Sequence, residues 1–161
     1  MLYFAYGSNL LPARLLARTP SARALAVGCL AGHGLRWHMA ATDGSGKCDV
    51  VVDAAAEVHG VVYRLDPAEK PLLDRAEALG VGYSERRVRI ATVGGSVEAW
   101  TYTALRTEPQ RQPYDWYRDI VVAGARAHGL AADYVAALAA VAALPDPDPA
   151  RAALHRALLT D

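Results

Sequence analysis

Apolar and polar positions change rhythm along this chain. Leu2 to Tyr6 is a short aromatic and apolar run suited to a strand, and it leads straight into Gly7-Ser8-Asn9, which suits a turn. A helix is predicted next, capped by Ser8 or Asn9, with Pro12 in its first turn and good helix formers from Ala13 to Arg18. Arg23 to Met39 has β character, and its glycines at 28, 32 and 34 predict a bulge or bend. Thr42 to Asp49 reads as an exposed loop, and Val50 to Val52 and Glu57 to Leu65 read as two more strands.

Asp66-Pro67-Ala68-Glu69 has capping-box spacing, and a short helix is predicted from Pro71 to Leu79, closed by Gly80. Arg86 to Thr92 and Ser96 to Ala104 alternate around Gly94-Gly95, a hairpin signal because glycine accepts positive φ. The periodicity then becomes helical: Gln112 to His128, Ala131 to Leu144 and, after the Pro145 to Pro149 linker, Ala150 to Leu159. Strands come first and helices last, without βαβ alternation. That segregation predicts an α+β fold with a bent, antiparallel or mixed sheet able to close into a small barrel. No repeat or boundary divides the chain, so residues 1–161 are expected to form a single domain.

Composition narrows the function. With 161 residues, 53% of them hydrophobic, a core burying roughly 70% of the unfolded surface is within reach, which excludes intrinsic disorder. Seventeen Lys and Arg against seventeen Asp and Glu leave no net charge for holding polyanions, so no nucleic-acid partner is expected. The first residues lack the pattern of a secretory signal, and the longest apolar run, Val135 to Leu144, is too short to span a bilayer; a soluble, cytoplasmic protein without a membrane partner is expected. Cys29 and Cys48 have no metal-ligand spacing and read as reduced thiols, with one bridge between them left open. His33, His38, His59, His128 and His155 are scattered without ligand spacing, so no metal is expected.

Two places could carry chemistry. A glycine-bearing turn feeding a helix, Tyr6-Gly7-Ser8-Asn9-Leu10, exposes backbone N–H groups that can bind a carboxylate, a phosphate or an oxyanion; an ordinary cap is the equally weighted alternative. Neither a P-loop nor a dinucleotide fingerprint is present. Glu77 falls at the edge of an apolar stripe of Leu72, Leu73, Ala76 and Leu79 in the last turn of its helix. Partial burial and the negative helix end would both favour its protonated form, which suits proton transfer, although a solvated glutamate is the commoner outcome. Ser8 lacks a nucleophile motif, and Tyr83, Tyr102, Tyr114 and Tyr117 individually read as packing residues. Lys47 and Cys48 suggest nothing specific.

In order along the chain, Y-F-A-Y-G-S-N-L (Tyr3 to Leu10), G-V-V-Y (Gly60 to Tyr63), L-D-R-A-E-A-L-G-V-G-Y (Leu73 to Tyr83), the strand with Tyr102, and Y-R-D-I-V-V-A-G-A-R-A-H-G-L (Tyr117 to Leu130) resemble the γ-glutamylcyclotransferase-like family. The resemblance implies a small bent mixed β-barrel with surrounding helices and a helical C-terminal third. It implies an enzyme that cleaves a γ-glutamyl-amino acid or γ-glutamyl-amine to 5-oxoproline and a free amine, without cofactor or metal. It places the glutamyl moiety on the backbone of Gly7, Ser8, Asn9 and Leu10, makes Glu77 the general acid/base, and puts Tyr6, Tyr83, Tyr102 and Tyr117 around the pocket. The implied partner is a small-molecule γ-glutamyl substrate, with a homodimer left open. One departure is Ala78, where members of the family often carry glycine directly after the glutamate. Two other readings stand beside the enzyme: a non-catalytic metabolite-binding module, and a biosynthetic enzyme that removes a γ-glutamyl cap from a larger intermediate.

Overall fold

The computed structural model describes residues 1–160. Its strands are β1 (Leu2–Ala5), β2 (Arg23–Ala40), β3 (Gly46–Arg64), β4 (Tyr83–Thr92) and β5 (Gly95–Ala104); its helices are α1 (Pro12–Arg18), α2 (Lys70–Ala76), α3 (Asp115–Ala127), α4 (Ala132–Ala139) and α5 (Pro149–Arg156). The strands close into a barrel in the order β1-β3-β2-β4-β5. Every neighbouring pair is antiparallel except the closing one, where β1 meets β5 in parallel at Tyr3 and Trp100. The Thr101 hydroxyl, fully buried, donates to the Phe4 carbonyl at 2.8 Å across that seam. The α+β expectation and the mixed barrel both hold.

The closed sheet buries Phe4, Val58, Val61, Val62 and Ile90 almost completely. Helix α3 packs on the barrel by its apolar face, which buries Trp116, Tyr117, Ile120, Val121 and Ala125. Gly124 of α3 is where the chain after β1 passes: a Cβ there would lie 2.4 Å from the Leu11 nitrogen. Only glycine allows this approach, and the approach fixes the turn that follows β1.

Several local expectations are corrected. Neither Ser8 nor Asn9 caps α1; residues Ser8–Leu10 form a 3₁₀ turn, and the helix starts at Pro12 behind Leu11 without a side-chain cap. The supposed loop ends early: only Thr42 to Ser45 turn, and β3 runs unbroken from Gly46 through the two predicted strands. Its polar residues are paired across the sheet, for buried Asp49 accepts from the Ala104 N–H at 2.8 Å and lies 2.8 Å from His38 Nε2. Three register shifts in β2 supply the predicted bends, one of them beside Gly32 at φ 69°.

Helix α2 stops at Ala76, and of the predicted stripe only Leu73 is buried. Helix α4 stops at Ala139 instead of Leu144, because Leu144 exchanges backbone hydrogen bonds with Pro113 and Asp115 at 2.9 and 2.8 Å. Pro113 restrains the residue before it to extended backbone, so α3 begins at Asp115 rather than Gln112. Among the described residues no helix is long and apolar enough to cross a membrane.

Candidate active site

The turn after β1 lines a cleft with Gly7, Ser8 and Asn9. Leu10 and Leu11 donate to the carbonyls of Gly7 and Ser8 at 2.9 and 3.2 Å, whereas the N–H groups of Gly7, Ser8 and Asn9 have no acceptor among the described residues. A side chain at position 7 would press on Cys48 Cβ at 3.0 Å and Tyr117 Oη at 3.4 Å, so glycine keeps this corner open.

Glu77 comes to the same corner from the far side of the sequence. It is the C-cap of α2, and its N–H donates to the Leu73 carbonyl at 2.9 Å. The side chain leans back onto the turn: Asn9 Nδ2 donates to Glu77 Oε1 at 3.0 Å and also contacts the Tyr3 hydroxyl at 2.8 Å. Arg18, at the end of α1, donates from one nitrogen to Glu77 Oε1 at 2.6 Å and to Asn9 Oδ1 at 2.7 Å. Both charged side chains are largely enclosed, Arg18 being 20% and Glu77 15% exposed. Glu77 Oε2 has no hydrogen-bond partner among the described residues, which leaves one carboxylate oxygen available to a ligand. Burial and the helix end at Glu77 are legible in the sequence; the cation beside it is not, and the structure supplies it.

Tyrosines enclose a narrow arm of about 20 Å³ beside the turn, lined by Tyr3, Tyr6, Tyr83, Tyr102 and Tyr117 together with Glu77. Their hydroxyls are fixed: Tyr6 donates to the Tyr102 carbonyl at 2.6 Å, Tyr83 to the Cys48 carbonyl at 2.7 Å, and Tyr102 to Asp74 at 2.7 Å. Tyr117 Oη instead accepts from the Cys48 N–H at 3.1 Å and lies beside the Cys48 thiol. Burial raises the pKa of all five tyrosines, and at neutral pH these groups are phenols, not phenolates. Of the predicted pocket residues only Leu10 stands apart. Its side chain is fully buried, its N–H is already used in the turn, and its carbonyl faces Tyr63 and His128.

The arm opens into a wider cleft of about 210 Å³ that shares Ser8, Glu77, Tyr83 and Tyr117 and adds the cations Arg14, Arg18, Lys47 and Arg106. Lys47 is paired with Asp43 at 3.0 Å and lies over the Trp116 and Tyr117 rings at 4.3 and 4.6 Å. Arg14 differs. It donates to the Ser8 hydroxyl at 3.1 Å and to His155 Nδ1 at 3.2 Å, and among the described residues it has no carboxylate partner. Burial, then the neighbouring Arg18 charge, lowers its guanidinium to about 10, which still leaves it cationic at neutral pH. A half-buried cation without a counter-ion, on the wall of a cleft, is a place for an anion.

Arg14, Arg18, Lys47 and Arg106 were not singled out from the sequence. Arg14 and Arg18 are four residues apart on one helix directly after the turn, and that spacing puts both on the same face. This signal was available. Lys47 carries none, because the polar run from Thr42 to Asp49 has the composition of a loop. Cys48 turns out to line the arm, buried, with its thiol pushed up to about 12 by that burial. Both cysteines are free.

The family profile described as AIG2-like matches residues 57–138. A protein named γ-glutamylcyclotransferase from Homo sapiens is 30% identical over 152 residues, spanning 87% of this chain and 78% of its own. Among solved structures, one titled γ-glutamyl cyclotransferase superposes with a TM-score of 0.90 at 25% identity, covering 100% of this chain and 99% of that one. An uncharacterized protein from Homo sapiens superposes with a TM-score of 0.82 at 30% identity, covering 89% and 88%. The chain belongs to the AIG2-like, γ-glutamylcyclotransferase family.

Proposed function

We propose that this protein is a γ-glutamylcyclotransferase, releasing 5-oxoproline and a free amino acid from a γ-glutamyl-amino acid. The observation that carries the reading is the meeting of Glu77 with the turn: a carboxylate with one free oxygen shares a cavity with three backbone amides that lack acceptors. The names of the human relative and of the structural neighbour support the same activity.

The chemistry asks for little else. The attacking α-amine and the γ-carbonyl belong to one glutamyl group, so holding that group bent brings the reacting atoms together; such pre-orientation removes roughly 7–11 kcal/mol of barrier in favourable cases. An α-amine ordinarily titrates at about 8, so it arrives mostly protonated. Glu77 Oε2 takes a proton from it, nitrogen attacks the γ-carbon, and the oxyanion is held by the amides of Gly7, Ser8 and Asn9. Such donors are typically worth about 2.7–4 kcal/mol each. The proton on Glu77 then passes to the departing nitrogen as the amide C–N bond breaks, and the regenerated carboxylate takes the remaining extra proton from the ring nitrogen and hands it to the released amine, which leaves a neutral lactam. Arg18 and Asn9 hold Oε1, which fixes the carboxylate and directs its other oxygen to this work.

The glutamyl unit lies along the turn and reaches into the tyrosine-lined arm, where Tyr117 is a neutral phenol. The leaving group occupies the wider cleft, and its carboxylate meets Arg14. A γ-glutamyl cap on a larger amine fits less well, since four cations around the cleft disfavour a cationic leaving group. Two free thiols suit a reducing compartment, and we place the protein in the cytoplasm. The test is incubation with γ-glutamyl-alanine and chromatographic detection of 5-oxoproline, beside Glu77→Gln. Binding without release of 5-oxoproline across a γ-glutamyl panel would instead identify a metabolite-binding module.

A further inference from the structure

On the β2–β3 ladder, at residues that line neither the cleft nor its arm, three different metal-ligand side chains converge. Cys29 of β2 and His59 of β3 are register partners, and Glu57 precedes His59 by two residues, which puts all three on one face of the ladder. Cys29 Sγ is 3.2 Å from Glu57 Oε2, and His59 Nε2 is 2.8 Å from Glu57 Oε1. The sulfur, carboxylate oxygen and ring nitrogen all lie within 4.8 Å of one another. We propose that Cys29, Glu57 and His59 form a binding site for a divalent ion of the zinc class, completed by water on its open side.

The donor set selects the ion. A thiolate and an imidazole suit borderline-soft cations such as Zn²⁺ and Co²⁺, whereas Mg²⁺ and Ca²⁺ call for oxygen ligands throughout. Bonds of about 2.0–2.3 Å to a tetrahedral centre put neighbouring donors about 3.5 Å apart. No gap between the three donors exceeds 4.8 Å, so shifts of about 1 Å, shared among the partly exposed Cys29 and His59 and the exposed Glu57, bring the set to that spacing. Charge also balances. On binding, the Cys29 thiol releases its proton to solvent and His59 offers a lone pair, so a dication meets one thiolate and one carboxylate and the site becomes neutral.

Packing prepares the imidazole. Its ring lies 4.7 Å from the Tyr134 ring of α4, a contact that orients it while Nε2 faces Glu57. Between β3 and α4 there is an open hollow lined by Glu57, His59, Ala131, Asp133, Tyr134 and Ala137, which admits the water of a fourth position and adds the Asp133 carboxylate to its wall. Linear spacing could not reveal this set. Cys29 and His59 are thirty residues apart and become neighbours only through the strand pairing.

The experiment uses the untagged, reduced, chelator-treated full chain, titrated with Co²⁺ without oxygen and followed by absorbance. The expected result is a thiolate-to-cobalt charge-transfer band that saturates at one ion per chain and is bleached by Zn²⁺. Cys29→Ser should remove the band, His59→Ala should weaken Co²⁺ binding at least tenfold, and Cys48→Ser should leave both unchanged; circular dichroism checks each fold. No band in the folded wild-type chain at tenfold excess Co²⁺, or an undiminished band in folded Cys29→Ser, overturns the proposal. None of these readouts depends on cyclotransferase activity.

Discussion

Arg18 and Glu77, 59 residues apart in sequence, share one short ion pair of 2.6 Å at the rim of the cleft. The pair occupies only one carboxylate oxygen of Glu77. That division of labour, one oxygen held and one free, is the basis of the first prediction.

Glu77→Gln keeps the hydrogen-bonding shape of the side chain and removes its ability to exchange a proton. Turnover of γ-glutamyl-alanine is expected to fall by about 10²–10⁴-fold, the usual contribution of a positioned acid/base. The thermal transition should remain cooperative. Full activity in this variant would remove Glu77 from the mechanism.

Arg14 should be felt by one kind of substrate and not by another. Losing a hydrogen bond to a charged group typically costs about 1.5–3 kcal/mol. Arg14→Met is therefore expected to raise KM for γ-glutamyl-alanine by about 10- to 100-fold. The same variant should change KM for γ-glutamyl-ethylamide, whose leaving group has no carboxylate, by less than about threefold. Equal losses on both substrates would assign Arg14 to the glutamyl half instead.

Ala78 stands at φ 48°, the only non-glycine residue with positive φ among those described. An L-residue there carries about 1–2 kcal/mol of strain. Glycine relieves it but loses about 0.5–1 kcal/mol to the greater freedom of the unfolded chain. Ala78→Gly is expected to gain up to about 1 kcal/mol in urea unfolding, and the β-branched Ala78→Val to lose stability. A clear loss in Ala78→Gly would contradict this account.

His155 gives the fold an acid limit. Its ring stacks on Trp116 with centroids 3.9 Å apart, and its Nδ1 accepts from Arg14, an arrangement that needs neutral imidazole. Burial and then the Arg14 charge hold its pKa down to about 4, against 6.5 unfolded. The contribution to stability is thus complete above pH 6.5 and is lost as pH falls towards 4, by about 1–2 kcal/mol once solvent screening of a half-buried ring is allowed for. Urea midpoints measured at pH 7 and pH 4.5 should differ less in His155→Gln than in wild type.

What could be read in the sequence were features carried by a few adjacent residues. The aromatic run before Gly7 marks β1 and its turn, and Gly95 at φ 114° closes the β4–β5 hairpin, whereas the stop expected at Gly80 comes earlier, with α2 ending at Ala76 and Ala78 in the left-handed position behind its cap. Glu77 and the turn were identified through motif resemblance, and the barrel brings them together. What escaped were properties created by pairing distant segments. Lys47-Cys48-Asp49 looked like loop because two of its residues are charged, yet Asp49 is buried by bonds to two other strands. Arg18 gave no local hint of its partner, and the Leu72 and Leu79 positions were judged apolar enough to be buried although the barrel leaves them uncovered.

The barrel closes through a narrow join. Strand β1 is held along its whole length by β3, but on its other edge it meets β5 at a single register pair. The amide cradle begins two residues after that strand ends, so any breathing of the join shifts the cradle before the core is breached. Heat should therefore abolish ring closure at temperatures where the helices and the rest of the sheet are still intact, and the enzyme's working range should end below its melting point.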